Sequence, residues 1–371
     1  MKKPERILHV LGSLNMGGAE TLVMNIYRNI NRDKYQFDFV VHGRDIGKYE
    51  EEIIRLGGKI YHIDEYKVYN HFKYKKIWND FFNNHHEYNI VHGHMRSTAS
   101  IYLKIAKKHG LKTISHSHNT SNGKGIKSII KKVLQSRIKN ACDVFMGCSY
   151  DANKWLFGEK IANSSNCYVL NNGIDTNFFS YSEKLRESSR KELKLKNQFL
   201  VGNVGRLCYQ KNQDYLIDIF CDIKKIKNDS KLLIIGSGEL KESLIAKMKE
   251  KNIYDDVIML ENRSDINALM CAMDCFVFPS RFEGLGIVVI EAQSTGLPCF
   301  ISDEVPHNVD LTDLIHRIDI NKPAGENAKY IMEELKKIKR KIYSFKITKA
   351  NYSIENTCDD LVHYYDKLLN K

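Results

Sequence analysis

Short apolar runs alternate along the chain with longer stretches in which apolar residues return every third or fourth position. In the first half ILHV, FDFVV, KIYHI, NIVHGH, KTISHSH, VFMGCS and CYVLNNGI read as strands. Between many of them, residues 18–30, 72–84, 97–109 and 126–140 carry the helical period. The rhythm restarts with FLVGNVGRL, KLLIIGSG, DVIML, DCFVFPS and PCFIS, separated by helical segments at 212–226, 239–251, 264–272 and 286–295. Strand–helix–strand repetition predicts parallel sheets covered by helices, and the restart predicts two such units in series. Residues 174–199 are polar and lose the strand rhythm, so the boundary is expected there. The expected units are 1–175 and 176–351, with the helical last segment 352–371 crossing back onto the first.

The stretch RFEGLGIVVIEAQSTGLP at 281–298 is harder to place. Its four β-branched residues, Ile287, Val288, Val289 and Ile290, look like a strand by themselves. The neighbours decide for a helix: apolar runs at 275–278 and 298–302 are already strands, and a right-handed crossover fills the interval, closed by Gly296. The helix start then falls at 284–286, where glycines permit close backbone approach and unpaired N–H groups favour an anion. Glu283 stands beside that start, and Glu291 lies two turns into the helix, so both can point into one cleft at the carboxyl ends of the strands. A carboxylate inside an apolar segment needs a partner. The question is which group supplies it.

With 371 residues, 43% of them hydrophobic, the chain can bury a core large enough for two domains. The N-terminal apolar run is broken by His9 and Gly12 and lacks a small-residue cleavage site, so it reads as a strand and not a signal peptide. No stretch approaches the roughly 20 apolar residues that span a bilayer. Nine cysteines occur without a C-x-x-C pair, which suits buried apolar roles in a reducing, cytoplasmic setting. The net charge of +12 is unevenly placed: residues 1–180 carry 27 basic and 16 acidic side chains, residues 181–371 carry 30 and 29. From Glu87 to Asp143 there is no intervening acid but eleven bases, so something anionic is an expected neighbour. Within that interval residues 124–140 put Ile126, Ile129, Ile130, Val133, Leu134 and Ile138 on one helical stripe, with Lys127, Lys131, Lys132, Arg137 and Lys139 largely off it. Core packing with a solvated basic face is one reading. The other is an interfacial helix that meets an anionic membrane surface, peripheral to the inner face of the cell membrane. A nucleic-acid-binding protein competes on charge alone. It lacks a recognition module and interleaved basic–aromatic strands, so no nucleic-acid partner is expected.

Five blocks, taken together, carry a family resemblance. FEGLGIVVIEAQSTGLP, LHVLGSLNMGGAET, YVLNNGIDTNFF, VGNVGRLCYQKNQDYLI and LLIIGSGEL resemble the retaining GT-B glycosyltransferases of family four, in the family's order and over nearly the whole chain. The resemblance implies an α/β fold of the GT-B type, two Rossmann-like domains facing a central cleft. It implies transfer of a hexose or N-acetylhexosamine from a nucleotide diphosphate sugar, with a UDP-sugar expected, to a glycan or lipid-linked glycan acceptor. The nearest branch is that of capsule and exopolysaccharide biosynthesis. No cofactor and no metal are expected. Glu291 would bind the ribose hydroxyls, which makes the ligand its partner, and Glu283 the donor hexose, with the backbone of Gly284, Leu285 and Gly286 nearby. Arg206 and Lys211, following a strand that ends at Gly205, would stabilise the negative charge developing on the pyrophosphate leaving group. The plainer alternatives are a helix-face Glu291 paired with a surface lysine, and Arg206 and Lys211 as solvated surface charges.

LNMGGAET places Gly17 and Gly18 in a strand-to-helix turn that phosphate or acceptor can approach. It is not G-x-G-x-x-G, which argues against nicotinamide binding. IIGSGEL places Gly236 and Gly238 in a second such turn, close to where the family holds the nucleotide. A tight turn alone accounts for either pair. VHGHMRS and ISHSHNTSN contribute His92, His94, His116 and His118. Close histidine pairs suggest metal binding, but no cysteine or acid completes a ligand set. The resemblance implies a histidine facing the donor hexose; His118 matches its place better than His116, and strand alternation puts both on one face, so both stay open. The expected catalytic set is His118, Glu283, Arg206 and Lys211. The chain departs from many family members after Pro298, where DEVPHNVDLTDLIHRIDI replaces a glycine-rich loop, and this weakens inference about the donor. A sugar-nucleotide epimerase or glycogen-type synthase of the same fold remains the competing enzyme.

Overall fold

The computed structural model describes residues 3–15, 17–118 and 134–370. The basic segment 124–140 therefore lies outside the described residues up to 133. The chain divides into two compact units, Met1–Gly173 with Ile354–Lys371, and Ile174–Ser353.

The first unit holds seven strands: β1 (Glu5–Leu11), β2 (Tyr35–His42), β3 (Ile60–Ile63), β4 (Tyr88–Gly93), β5 (Lys112–Ser117), β6 (Val144–Gly147) and β7 (Cys167–Val169). They form one parallel sheet in the order β3-β2-β1-β4-β5-β6-β7. Parallel strands covered on both faces read as unbroken apolar runs, and every position of β2 is buried. Alternation sorts the side chains. Ile7, Phe37, Phe39, Ile90 and Ile114 pack to one core, Leu8, Val10, Val40 and Val91 to the other. The C-terminal helix Ile354–Leu368 completes the first of these cores with Cys358, Leu361 and Tyr365. Its Asp366 also takes Tyr35 Oη at 2.6 Å and Lys34 Nζ at 2.7 Å.

The second unit holds β8 (Phe199–Val204), β9 (Ser230–Ile235), β10 (Val257–Leu260), β11 (Cys275–Phe278), β12 (Cys299–Ser302) and β13 (Ile315–Ile318). Their order is β10-β9-β8-β11-β12-β13, again all parallel. The β-branched run of 287–290 lies in the helix Ile287–Ser294, between Gly286 at φ 87° and Gly296 at φ 66°. Both glycines occupy the left-handed region that other residues enter only with strain. The polar segment 174–199 is not bare linker: Glu183–Glu192 is a helix whose Arg186 and Arg190 bind Asp274 and the carbonyl of Ala272.

Candidate active site

In the second unit the chain winds outward from β8 in one direction and from β11 in the other, so the strand order reverses between these two neighbours. Ligands of doubly wound sheets bind outside the carboxyl ends of the strands at such a reversal. The two loops that leave those ends are 205–212 and 279–286, and they are joined to each other. Arg281 N–H donates to Gln210 O at 2.8 Å, Asn212 Nδ2 to Pro279 O at 3.0 Å, and the Arg281 guanidinium to Asn212 Oδ1 at 2.7 Å. Across the join Lys211 Nζ stands 2.7 Å from Glu283 Oε1, and Gln210 Nε2 donates to Glu283 Oε2 at 3.3 Å. The Glu283 side chain is only 6% exposed, so this ion pair is largely withdrawn from water. Lys211 Nζ also lies 4.7 Å from the centre of the Phe278 ring, a cation–π distance. Arg206, five residues before Lys211 in the loop after β8 but outside the ion pair, is exposed, and its guanidinium has no partner among the described residues.

Glu291 is different. Its carboxyl has no hydrogen bond or ion pair among the described residues, and burial alone pushes it up to about 7. The surface-lysine pairing weighed from sequence is absent there. Asp38 shows what a structural buried acid looks like in this protein: it accepts from Arg6 Nε at 2.6 Å, Lys59 N–H at 2.6 Å and Tyr88 Oη at 2.9 Å. Leu285 is buried in the second unit's core, which leaves only its backbone to meet a ligand. Gly236, at φ 152°, lies where a Cβ would meet the Gly205 carbonyl, and at Gly238 a Cβ would meet the Leu207 carbonyl. These two glycines let the loop after β9 press against the backbone that carries Gly205 and Arg206.

In the first unit the order reverses between β1 and β4. Gly17 precedes the helix Gly18–Asn29. A Cβ at Gly17 would meet the Glu20 carboxylate, and one at Gly18 would meet nothing within 4 Å. Beside this turn, the register that pairs His9 with His92 gathers five imidazoles on one face: His9, His92, His94, His116 and His118. His116 is buried and bonds His92, His118 is partly buried and bonds His94, and His116 Nε2 and His118 Nδ1 each have no partner. One expectation needs correction here. No cysteine or acid is required for a ligand set, because His9, His92 and His94, and likewise His94, His116 and His118, each bring three ligand atoms within 4.8 Å of one another. Sequence reasoning passed over His9, whose place in the group depends on sheet order, and over Gln210, Asn212 and Arg281, which join the two loops.

Residues 16–178 match the family model described as Glycosyltransferase Family 4, and residues 185–313 match that described as Glycosyl transferases group 1. The chain belongs to the family-four glycosyltransferases. It is 29% identical to EpsF of Bacillus subtilis (strain 168), named as a glycosyltransferase, over 98% of this chain and 96% of that protein. It is 30% identical, over 58% of each chain, to an Escherichia coli protein named UDP-Gal:alpha-D-GlcNAc-diphosphoundecaprenol alpha-1,3-galactosyltransferase. Among solved structures, HepE of Anabaena in complex with UDP superposes with a TM-score of 0.78 at 17% identity, covering 98% of this chain and 100% of that one. The fold is thus α/β of the GT-B type, and this glycosyltransferase is a hexose-transferring enzyme. No helix among its described residues is long and apolar enough to cross a membrane.

Proposed function

We propose that the enzyme transfers a hexose or N-acetylhexosamine from a UDP-sugar to a glycan or lipid-linked glycan acceptor in polysaccharide biosynthesis, with retention of anomeric configuration and without a divalent metal. The observation that carries the donor reading is Glu291, a partly buried carboxylate for which the described protein offers no partner. A ribose supplies two hydroxyl donors to such a group. The UDP held by HepE and the UDP-galactose in the name of the Escherichia coli relative support uridine as the base. The diphosphoundecaprenol in that same name supports a lipid-linked acceptor and a place at the inner face of the membrane.

In this reading Arg206 and Lys211 face the diphosphate. Fixed cations there lower the energy of the charge that gathers on the leaving group as the glycosidic bond breaks. Lys211 then exchanges Glu283 for the diphosphate, and the released carboxylate accepts hydroxyls of the hexose. Gly205, Gly236 and Gly238 hold the backbone of this loop, the backbone at 284–286 approaches the donor, and Gly17 and Gly18 leave room for phosphate or acceptor. His118 contributes its partnerless nitrogen to the donor hexose.

The test is UDP release from a panel of UDP-sugars, with and without a polyprenyl-diphosphate-linked saccharide, and the anomeric configuration of the product read by NMR. Release that requires the acceptor and a product with the donor's configuration are expected. Conversion of the UDP-sugar to its epimer without release of UDP would point to the epimerase reading, release of equal size without acceptor would be hydrolysis of the donor, and an inverted product would remove the retaining assignment.

A further inference from the structure

The five histidines of the first unit carry more ring nitrogens than the described protein pairs. His94 Nδ1 and His118 Nε2 are 2.8 Å apart, His94 Nε2 and His9 Nδ1 3.0 Å, His92 Nε2 and His116 Nδ1 3.2 Å, and His92 Nδ1 and Tyr365 Oη 2.8 Å. His9 Nε2, His116 Nε2 and His118 Nδ1 have no hydrogen-bond partner among the described residues. His116 is 1% exposed, so in either tautomer its Nε2 is withdrawn from water with nothing to meet. A buried polar atom left in that state destabilises the fold unless another group satisfies it.

His94, His116 and His118 each bring one ligand atom within 4.8 Å of the other two. Their ring centres stand 4.0, 5.0 and 5.4 Å apart. Three imidazoles so gathered suit a zinc ion, which takes nitrogen ligands at about 2.0–2.1 Å and keeps a fourth position for water. Ligand nitrogens around such an ion stand about 3.3 Å apart. His94 Nδ1 and His118 Nε2 therefore part by about 0.5 Å and turn their lone pairs from each other toward the ion, a movement within the breadth of one rotamer well. The proton between them passes to the far nitrogen of its own ring, so no charge is left behind. Burial keeps the rings in the neutral form that ligates. It pushes His118 down to about 3 and holds His94 and His116 well below the usual histidine range, with neighbouring imidazoles, and Arg96 at His118, adding to the effect.

A metal-binding histidine is oriented by the hydrogen bond that its other nitrogen makes. His94 Nε2 is held by His9 Nδ1, and His116 Nδ1 by His92 Nε2, whose ring Tyr365 Oη holds in turn. The inner group of His9, His92 and His94 meets the same distance condition, but it is buried throughout and both His92 nitrogens are engaged. His118 is partly buried, so the ion's entry and its fourth position lie on that side. We propose that His94 Nδ1, His116 Nε2 and His118 Nε2 bind one divalent ion of the zinc class, with His9, His92 and Tyr365 holding the rings behind them. This binding is separate from the transfer reaction. Arg206 and Lys211, assigned to the diphosphate, belong to the second unit. No step of transfer uses the ion, and His118 Nδ1 stays unligated. Imidazole suits zinc, cobalt, nickel and copper, whereas magnesium and manganese prefer oxygen ligands.

The test titrates the full chain, stripped with chelator and dialysed, with Co²⁺ and then with Zn²⁺; turnover plays no part in it. One equivalent of Co²⁺ is expected to give the strong visible bands of a four-coordinate ion, without the near-ultraviolet band of a thiolate ligand, and Zn²⁺ to abolish them. His94→Phe and His116→Phe keep a ring in place and remove its nitrogens; each is expected to weaken binding about a hundredfold or more. Tyr365→Phe removes only the hydroxyl behind His92 and is expected to weaken binding about tenfold. His307→Gln, at an exposed histidine 2.7 Å from Asp310, is expected to change nothing. The weak spectrum of six-coordinate Co²⁺, a thiolate band, or full binding retained in either ring variant would overturn the assignment. If circular dichroism shows that both phenylalanine variants fail to fold, Tyr365→Phe decides: an unchanged Co²⁺ affinity there overturns it.

Discussion

Lys211 Nζ and Glu283 Oε1 lie 2.7 Å apart, so the side chains assigned to the donor's diphosphate and to its hexose neutralise each other in the ligand-free protein. Removing one partner of a withdrawn ion pair leaves the other charge uncompensated. Lys211→Ala is therefore expected to lower unfolding stability by about 3 kcal/mol and turnover by about 10². Arg206→Ala is expected to cost a similar factor in turnover while stability stays within about 0.5 kcal/mol, because that guanidinium is exposed. Urea unfolding and steady-state rates on the same preparations check both. Equal stability losses in the two variants would contradict the assignment.

Glu291 carries a pH signature of the opposite sign to an ordinary buried carboxylate in a salt bridge. Its folded-state value, about 7 against an ordinary 4.5, means that the native state favours the protonated form. The stability this provides is full below about 4.5 and is lost as pH rises through 7. Glu291→Gln should accordingly stabilise the ligand-free protein at pH 8 by about 1–3 kcal/mol and change little at pH 4.5. Thermal unfolding across that range reads it.

The same position separates ribose from hexose. Glu291→Ala is expected to weaken UDP binding, and Glu283→Ala to lose turnover while UDP still binds. Titration calorimetry with UDP measures the first, and an unchanged affinity in Glu291→Ala would rule out the ribose contact.

Activity is expected to persist in excess chelator if, as proposed, Arg206 and Lys211 take the place of a divalent cation at the diphosphate. Complete loss with EDTA, restored by Mg²⁺ or Mn²⁺, would refute the metal-independent reading.

The basic interval offers a test that needs no structure of it. If residues 124–140 meet lipid, the enzyme should bind anionic vesicles, release at 1 M salt as the Debye length shortens to about 3 Å, and lose binding when Lys127, Lys131 and Lys132 are reversed in charge. Turnover on a short soluble acceptor should survive that reversal. Binding that ignores salt would leave the segment as a solvated face.

Elements whose period or neighbours were distinctive could be read from sequence. The run IVVI was placed in a helix against its β-propensity because strands on both sides required a crossover. The strand Ile315–Ile318 went unseen, because IHRI carries His316 and Arg317 and lacks an apolar run. The helix Glu183–Glu192 was hidden by its polarity; it is held by Arg186 and Arg190, not by an apolar stripe. At the site, Glu291 announced itself as a carboxylate in need of a partner. Its neighbour's ion pair did not, because Lys211 and Glu283 are 72 residues apart and meet only through the adjacency of β8 and β11. His9 joins the other histidines for the same kind of reason: β4 lands beside β1, and no local pattern announces that.

The return of Ile354–Leu368 to the first unit has a consequence for how the protein is made. Synthesis delivers β1 to β7 before the second unit, yet Cys358, Leu361 and Tyr365, which pack on one face of that sheet and of which Tyr365 bonds His92, emerge after it. The second unit, continuous from Ile174 to Ser353, is complete before them. Vectorial synthesis therefore inverts the order of the units: the one begun first is finished second. A nascent chain stalled short of residue 354 would present an uncovered apolar sheet face to the cell's chaperones and proteases.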